Sequence, residues 1–422
     1  MQVFKFGGAS VKNAENIKNV TSIISTYKSS ELLVVVSAIN KTTNKLEDVA
    51  KTYYNQTGEA FAILEEIKND HIEVMDLLFD SRDHAIYNEV ANTFVEVEWV
   101  LEEEPQDSFD YLYDQIVSLG EIVSSKILAA YCREIGIATT CVDARDYIHT
   151  DNTYREGKVN WKLTEDKIRR DIPSILDDYV IITQGFIGST SENFTTTLGR
   201  EGSDYTAAIF ASCLNAEDIT IWKDVPGVLN ADPKWFADTE LIPELSYTDA
   251  IELTYYGATV IHPKTIKPLQ NKKITLNVRS FINPEQPGTK IKSTNQTLPV
   301  PSFIFKVDQV LISIQPRDFS FIVEDNFSRI YNLFHQHRVK VNMMHNSAIS
   351  FSVSVDNTGV NIDRVLEELE KDYKVSIERG LELITIRYYN QETINRVLEN
   401  KEIIRELKDS YTCQMLVKNL DE

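Results

Sequence analysis

The chain has 422 residues, which at about 150 residues per domain leads to an expectation of two or three domains. Its 43 Lys and Arg against 64 Asp and Glu leave a formal charge of −21, which argues against a chain built to coat nucleic acid or an anionic membrane. A hydrophobic content of 42%, with 10% aromatics, is enough for sizeable cores and excludes wholesale disorder.

The first forty residues predict strand, turn, helix and strand. Val3, Phe4 and Phe6 form a short apolar strand, and Gly7-Gly8-Ala9-Ser10 is a turn. Between Asn13 and Tyr27, Ile17, Val20, Ile23, Ile24 and Tyr27 recur at helical spacing. Leu32–Val36 is a continuous apolar strand, as a parallel sheet covered on both faces requires. Such a βαβ unit predicts an α/β fold. From about 42 to 134 the chain reads as mostly helix. Within it, Arg82 to Lys126 encloses eleven acidic residues and no Lys or Arg, which reads as the solvated face of a helical insertion. Strands are then expected at Ala138–Val142, Val180–Thr183, Phe194–Leu198, Ile219–Trp222 and Thr275–Val278. Helices are expected at Gly202–Leu214 and Tyr247–Leu253. Together these predict one three-layer α/β domain.

Pro284, Pro287, Gly288, Pro299 and Pro301 mark a boundary near 283–301. Beyond it, strands are expected at Val310–Ile314, Lys340–Met344, Ala348–Val355 and Val375–Ile377, with helices at Val323–His335 and Ile362–Leu369. This β-α-β-β-α-β order is the split-βαβ, ferredoxin-like signature. A further piece reads as strand Leu381–Tyr388, helix Glu392–Leu407 and strand Thr412–Val417, most of a second copy with a shortened middle.

No apolar run approaches the roughly 18 residues that a membrane helix needs, and the start of the chain lacks a secretory-leader pattern. Cys132, Cys141, Cys213 and Cys413 are scattered, as in a reduced cytoplasmic protein. Glycine is scarce, 15 of 422 residues, about half the usual ~7%. Its clusters therefore matter: Gly7-Gly8, and Gly185, Gly188, Gly199 and Gly202.

Lys5-Phe6-Gly7-Gly8-Ala9-Ser10 puts a lysine just before two glycines and a helix. Backbone N–H groups of such a turn suit a phosphate, although an ordinary strand-to-helix turn reads equally well. Gly199-Arg200-Glu201-Gly202-Ser203-Asp204 repeats the arrangement. Ser203 and Asp204 could simply cap a helix. Arg200 loads positive charge onto a helix N-terminus, which the macrodipole disfavours unless an anion lies there. Lys5, Ser37, Arg200 and Asp224 all follow or end strands, where ligands of α/β sheets bind.

These segments resemble the aspartokinases, the aspartate-specific branch of the amino-acid kinase family. The resemblance rests on K-F-G-G-A-S at 5–10, V-V-S-A with Thr43-Asn44 at 34–44, and Leu119-Gly120-Glu121. It continues with Q-G-F-I-G at 184–188, T-L-G-R-E-G-S-D-Y-T-A-A at 197–208 and W-K-D-V-P-G-V at 222–228. A-D-P at 231–233 and G-A-T-V-I-H-P at 257–263 complete it. It implies a kinase domain over 1–285 and two regulatory ACT modules, 303–378 and a shortened 379–422. It also implies phosphorylation of L-aspartate by ATP with Mg²⁺ to give 4-phospho-L-aspartate, the first step toward lysine, threonine and methionine. An amino-acid effector, a cytoplasmic setting and a homodimer through the C-terminal modules are implied as well, with those modules dispensable for chemistry.

Carboxylates ionise near pH 4, so an aspartate nucleophile needs no general base. The difficulty is bringing an anion to a polyanion, and positioning with charge neutralisation meets it. By resemblance, Lys5 and Asp204 are catalytic, Lys5 holding the transferring phosphoryl group. Arg200 takes a carboxylate of aspartate and Glu121 its ammonium, with Ser37, Thr43, Phe186 and Ser203 completing the pocket. Gly7, Gly8, Gly199 and Gly202 line the phosphates; Lys223, Asp224, Leu229, Lys234 and Thr259 stand on the nucleotide side. No protein metal ligand is assigned. Glu121 also reads as a plain helix-face carboxylate, and Phe186 as plain core.

The chain departs from the family pattern at Glu201, usually glycine, Lys223, usually threonine, Leu229, usually tyrosine, and Thr259, commonly lysine. Lys223 is expected to supply the charge that Thr259 lacks. A fused homoserine dehydrogenase is not expected. Two other readings stay open: an amino-acid sensor that keeps the fold without turnover, and a kinase for another acid such as glutamate.

Overall fold

The computed structural model describes all residues except 28–30, 237, 259–260, 295–299, 319 and 421–422. The chain divides into two units. The first comprises Met1–Val228, Pro243–Ile251 and Ile261–Thr297; the second comprises Leu229–Ile242, Glu252–Val260 and Leu298–Glu422.

The opening follows the local sequence closely. β1 (Gln2–Phe6) leads through a 3₁₀ turn at Gly8–Val11 into α1 (Ala14–Thr26). Asn13 caps α1, its side chain accepting from the Asn16 N–H at 2.9 Å. Ile17, Val20, Ile23 and Ile24 form the buried stripe of α1. β2 (Leu32–Val36) is buried throughout. The expected helical stretch contains α2 (Thr42–Tyr54), α3 (Ala60–Asp76), α4 (Ala85–Glu102), α5 (Phe109–Val117) and α6 (Leu119–Glu134).

β3 (Thr139–Val142), α7 (Trp161–Leu176) and β4 (Val180–Gln184) follow, then β5 (Ile187–Ser189) and β6 (Thr195–Thr197). Next come α8 (Gly202–Leu214), β7 (Asp218–Lys223), β8 (Glu244–Ser246), α9 (Tyr247–Tyr256), α10 (Pro263–Lys272), β9 (Thr275–Ser280) and β10 (Thr289–Lys292). The main sheet runs β3-β4-β2-β1-β7-β9-β10-β8, parallel at every pairing except β9 with β10. Two helices escaped the sequence reading, α7 and α10, and both carry an internal proline, Pro173 and Pro268. Their apolar stripes, such as Ile168, Ile172 and Leu176, still bury one face. The strand expected at Phe194–Leu198 is the three-residue β6, which among the described residues pairs with β5 in a separate antiparallel ribbon. Arg200 therefore follows a ribbon strand, not a strand of the parallel sheet.

The second unit holds β11 (Ser302–Pro316), α11 (Glu324–Gln336), β12 (Val341–Asn346), β13 (Phe351–Asp356), α12 (Val360–Leu369) and β14 (Tyr373–Arg387). α13 (Gln391–Val397), β15 (Lys401–Lys408) and β16 (Thr412–Asn419) complete it. The sheet is antiparallel in the order β12-β13-β11-β14-β16-β15. β11 and β14 each run 15 residues and serve two cores. Their register shifts between Lys306 and Gln309, and Gly380 sits in β14 at φ +72°. Gln309–Pro316 belongs with α11, β12, β13 and α12, around Val310, Ile312, Phe334, Val353 and Leu369. Ser302–Lys306 pairs with Leu383–Arg387, and Phe303 joins Ile384, Ile386, Ile394, Met415 and Val417 in the second core.

The helix expected over Glu392–Leu407 stops at Val397. Asn400, in the left-handed region at φ 56°, ends the turn, and Lys401–Lys408 pairs with β16 as a strand. Among the described residues, no helix is long and apolar enough to cross a membrane.

Candidate active site

Successive residues of a strand face opposite sides of the sheet. In β1 this sends Phe4 and Phe6 to one face, where both rings meet Trp222. Lys5 goes to the other, under α8. There its Nζ lies 2.7 Å from Oδ1 of Asp204, and both side chains are buried. Oδ1 has no hydrogen-bond partner among the described residues, so this is a charge contact. Asp204 stands in the first turn of α8, where the helix dipole favours a carboxylate. An added Cβ on Gly7 would sit 3.2 Å from Lys5 Nζ, so glycine leaves the ammonium accessible from the turn.

Glu121, in the first turn of α6, is buried against the loop after β2. Its Oε1 accepts from the Ala38 N–H at 3.4 Å, and Oε2 has no hydrogen-bond partner among the described residues. Burial pushes its carboxyl up to about 8, against the opposing pull of the Ala38 N–H, the Lys5 charge and the Thr43 hydroxyl. Gly120 permits this approach, since a Cβ there would stand 2.9 Å from the Ala38 Cβ. Ser37 is held from both sides. Its N–H donates to Phe6 O at 3.0 Å, and its carbonyl accepts from Ser124 Oγ at 2.7 Å.

The start of α8 is tightly packed. A Cβ on Gly185 would fall 2.4 Å from the Ser203 Cβ, and one on Gly202 would fall 2.6 Å from the Phe186 ring. A Cβ on Gly8 would meet the Asn40 carbonyl at 2.8 Å. Packing alone thus demands glycine at 8 and 202. Phe186 adopts φ 70°, and its N–H donates to Thr206 Oγ1 at 2.9 Å. Arg200 is exposed and has no hydrogen-bond or ion-pair partner among the described residues. Glu201, the departure from the family glycine, occupies the left-handed region at φ 55°. Its Oε2 accepts from the His262 N–H at 2.8 Å, at the N-cap of α10.

Of the residues expected on the nucleotide side, Lys223 ends β7 and is half-buried, and its carbonyl accepts from the Phe281 N–H at 2.9 Å. Asp224 is exposed. Leu229 and Lys234 belong to the second unit, and Thr259 lies outside the described residues.

Sequence reasoning missed Asp114 and Gln115 of α5. Asp114 is fully buried and accepts three hydrogen bonds, from the N–H and hydroxyl of Thr197 and from the Arg155 N–H. Burial pushes its carboxyl up to about 6 while these donors pull it down. Gln115 exchanges two bonds with the Thr195 backbone. A helical Asp-Gln pair has no sequence signal for partners 80 residues away.

Residues 1–280 match the model of the amino acid kinase family. Aspartokinase 1, chloroplastic, of Arabidopsis thaliana is 30% identical over 407 residues, covering 91% of this chain and 70% of that protein. The crystal structure of E. coli aspartokinase III in complex with lysine and aspartate (T-state) is similar at TM-score 0.84 and 26% identity, covering 100% of this chain and 96% of that one. The same enzyme in complex with aspartate and ADP (R-state) gives 0.83 and 26%, covering 100% and 97%. The expected fold, a parallel-sheet kinase domain followed by ferredoxin-like modules, agrees with these neighbours. By family model, sequence and fold, the chain belongs to the amino acid kinase family and, within it, to the aspartokinases.

Proposed function

We propose that this chain transfers the γ-phosphoryl group of ATP to the side-chain carboxylate of L-aspartate, giving ADP and 4-phospho-L-aspartate. The observation that carries this is the buried Lys5–Asp204 pair beside the buried, half-satisfied Glu121. Lys5 meets the phosphoryl oxygens from the Gly7 turn, which a Cβ would crowd, and Asp204 holds the ammonium in place. Glu121, once ionised, pairs with the substrate ammonium. Arg200 takes a substrate carboxylate through its planar fork, and Ser37, Thr43, Phe186 and Ser203 shape the pocket around it. Gly7, Gly8, Gly199 and Gly202 form the phosphate side, with Lys223 and Asp224 beyond. Leu229, Lys234 and Thr259 carry only what the family resemblance implies.

Among the described residues no three or more His, Cys, Asp or Glu side chains cluster as a metal cage. Mg²⁺ would arrive on the nucleotide phosphates and neutralise charge on the transferring group. The kinase reading covers 1–285, with effector modules over 303–378 and 379–422 that join two copies into a homodimer and take an end-product amino acid. Four free cysteines, mostly buried, suit a reducing cytoplasm.

A coupled assay of ADP release, with and without aspartate, tests the reaction. Aspartate-dependent release is expected, and Lys5→Ala should lower kcat roughly 100-fold or more, by loss of an electrostatic stabiliser. Aspartate that raises Tm without any ADP release would instead identify a sensor. A Lys5→Ala protein retaining over half of kcat would remove Lys5 from the chemistry.

A further inference from the structure

Arg200 carries the proposed grip on aspartate, yet nothing described holds its side chain. Its position is therefore set by its backbone, which the Leu198 N–H ties to Phe186 O at 2.8 Å and the Gly202 N–H closes onto Gly199 O at 3.0 Å, and which α5 anchors at Thr197. Thr197, three residues earlier, gives its N–H to Asp114 Oδ2 at 2.8 Å and its hydroxyl to Asp114 Oδ1 at 2.8 Å. The Thr197 carbonyl accepts from the Gly157 N–H at 2.8 Å. Both backbone groups and the side chain of Thr197 are thus engaged.

Asp114 grips the opposite wall as well. Its Oδ2 accepts from the Arg155 N–H at 2.9 Å, fixing a turn in which Arg155 adopts φ 65°. That turn backs Gly199: a Cβ on Gly199, which has φ +77°, would stand 3.2 Å from the Arg155 carbonyl and 3.3 Å from Glu156 Cγ. The Arg155 guanidinium lies 4.4 Å over the Tyr113 ring of α5, a second tie between the same two segments. One buried carboxylate therefore bridges the ribbon strand before Gly199 and the turn behind it. Gln115 repeats the tie one step upstream, donating to Thr195 O at 2.8 Å and accepting from Thr195 N–H at 3.2 Å.

We infer that Asp114 is a positioning residue for the substrate-gripping arginine: it acts through Thr197 and the Arg155 turn to set where Arg200 points. This rests on the reading of Arg200 given above. A neutral threonine-to-threonine contact could hold the ribbon as well, so a buried charge is not needed for folding alone. A carboxylate is the one side chain that accepts from three donors on two segments at once. Misplacing a substrate-binding group by about 1 Å costs up to 100-fold, so such a bridge is worth its desolvation.

The test is a kinetic cycle on the full chain with Asp114→Asn, Arg200→Lys and both together. Asp114→Asn removes the charge and leaves one oxygen to accept from both N–H groups, while its NH2 faces the Thr197 hydroxyl, which must reverse from donor to acceptor. It should raise aspartate KM roughly tenfold, the scale of a hydrogen bond to a charged group, with kcat and ATP KM within about threefold. In the Arg200→Lys background the Asp114→Asn effect on aspartate KM should largely vanish, because both act through one contact. Thr197→Val, which removes only the hydroxyl, should move the same parameter in the same direction by less. If Asp114→Asn does not fold, Thr197→Val in the two backgrounds decides the matter alone. Fully additive effects on aspartate KM would overturn the inference, as would a lowered Tm with aspartate KM unchanged. An Arg200→Lys variant with normal aspartate KM would instead overturn the reading of Arg200, a separate failure.

Discussion

Glu121 shows how burial sets the chemistry of a single residue. Its charge pair to Lys5 favours ionisation, but desolvation outweighs it, and the carboxyl rises from 4.5 to about 8. Before substrate binds, the neutral form therefore dominates below that value. Pairing with a substrate ammonium needs the anion, so aspartate binding must expel a proton. Aspartate KM is expected to rise as pH falls from about 8 toward 6, approaching tenfold per unit. Glu121→Gln should flatten this profile while raising KM at pH 8. A wild-type KM that is constant over the same range would take Glu121 away from the ammonium. The linkage to stability has the same sign for Glu121 and Asp114, both raised on folding. Each contributes stability that is present below its unfolded value and lost as pH rises through its folded one.

Elements obey capping and backbone rules wherever the chain is left to local forces, and Glu201 is where two of those rules compete. It sits at φ 55°, a conformation that costs a side-chain-bearing residue about 1 kcal/mol and explains the glycine usual in the family. Against this, its carboxylate accepts from the His262 N–H at the start of α10, a charge-assisted bond at a helix N-terminus worth about the same. Glu201→Ala keeps the strain and loses the bond, so Tm should fall, by about 1 kcal/mol of stability. Glu201→Gly loses the bond and removes the strain, and should leave Tm nearly unchanged. Equal losses in the two variants would mean that the backbone strain at 201 is negligible. The same carboxylate, turned to α10, explains how an acidic residue can stand between Arg200 and Gly202.

At the scale of the whole molecule, the second unit reaches back along the chain. Leu229–Ile242 belongs to it, with Phe236 against Phe303 and Phe305 at ring-centroid distances of 4.9 and 5.5 Å, and Trp235 stacked on Phe305. The Phe303 N–H donates to Asn230 O at 2.7 Å, and Arg396 stacks 4.6 Å over Phe236. A chain ending near Ser302 would lose that platform, so truncation is expected to cost stability in Leu229–Ile242 whatever it does to the chemistry. Such a chain should be cleaved within Leu229–Ile242 by dilute protease faster than the intact protein, with a lowered Tm. Equal resistance would show that the segment holds itself. Sedimentation of both chains reports the proposed dimer, expected for the intact protein and lost on truncation.

Local order was legible from the sequence where local forces suffice. The periodicity of Ile17, Val20 and Ile24, the Asn13 cap and the apolar run Leu32–Val36 specify the opening unit, because each depends only on neighbours within a turn or a strand. Gly202–Leu214 was likewise readable to its ends. The proline-bearing helices α7 and α10 were hidden because a breaker masks a stripe that tertiary packing still rewards. β15 was hidden because its partner, β16, lies beyond a turn and supplies the hydrogen bonds that a helix would have supplied itself. The sequence by itself determined the class, the opening βαβ unit and the split-βαβ order of the C-terminal part. Only the tertiary structure decided that Asp204 would meet Lys5, that Glu121 would be desolvated, and that Asp114 would hold Thr197 across 83 residues. Charge placement and burial are long-range sums over packed neighbours, and no window of the sequence contains them.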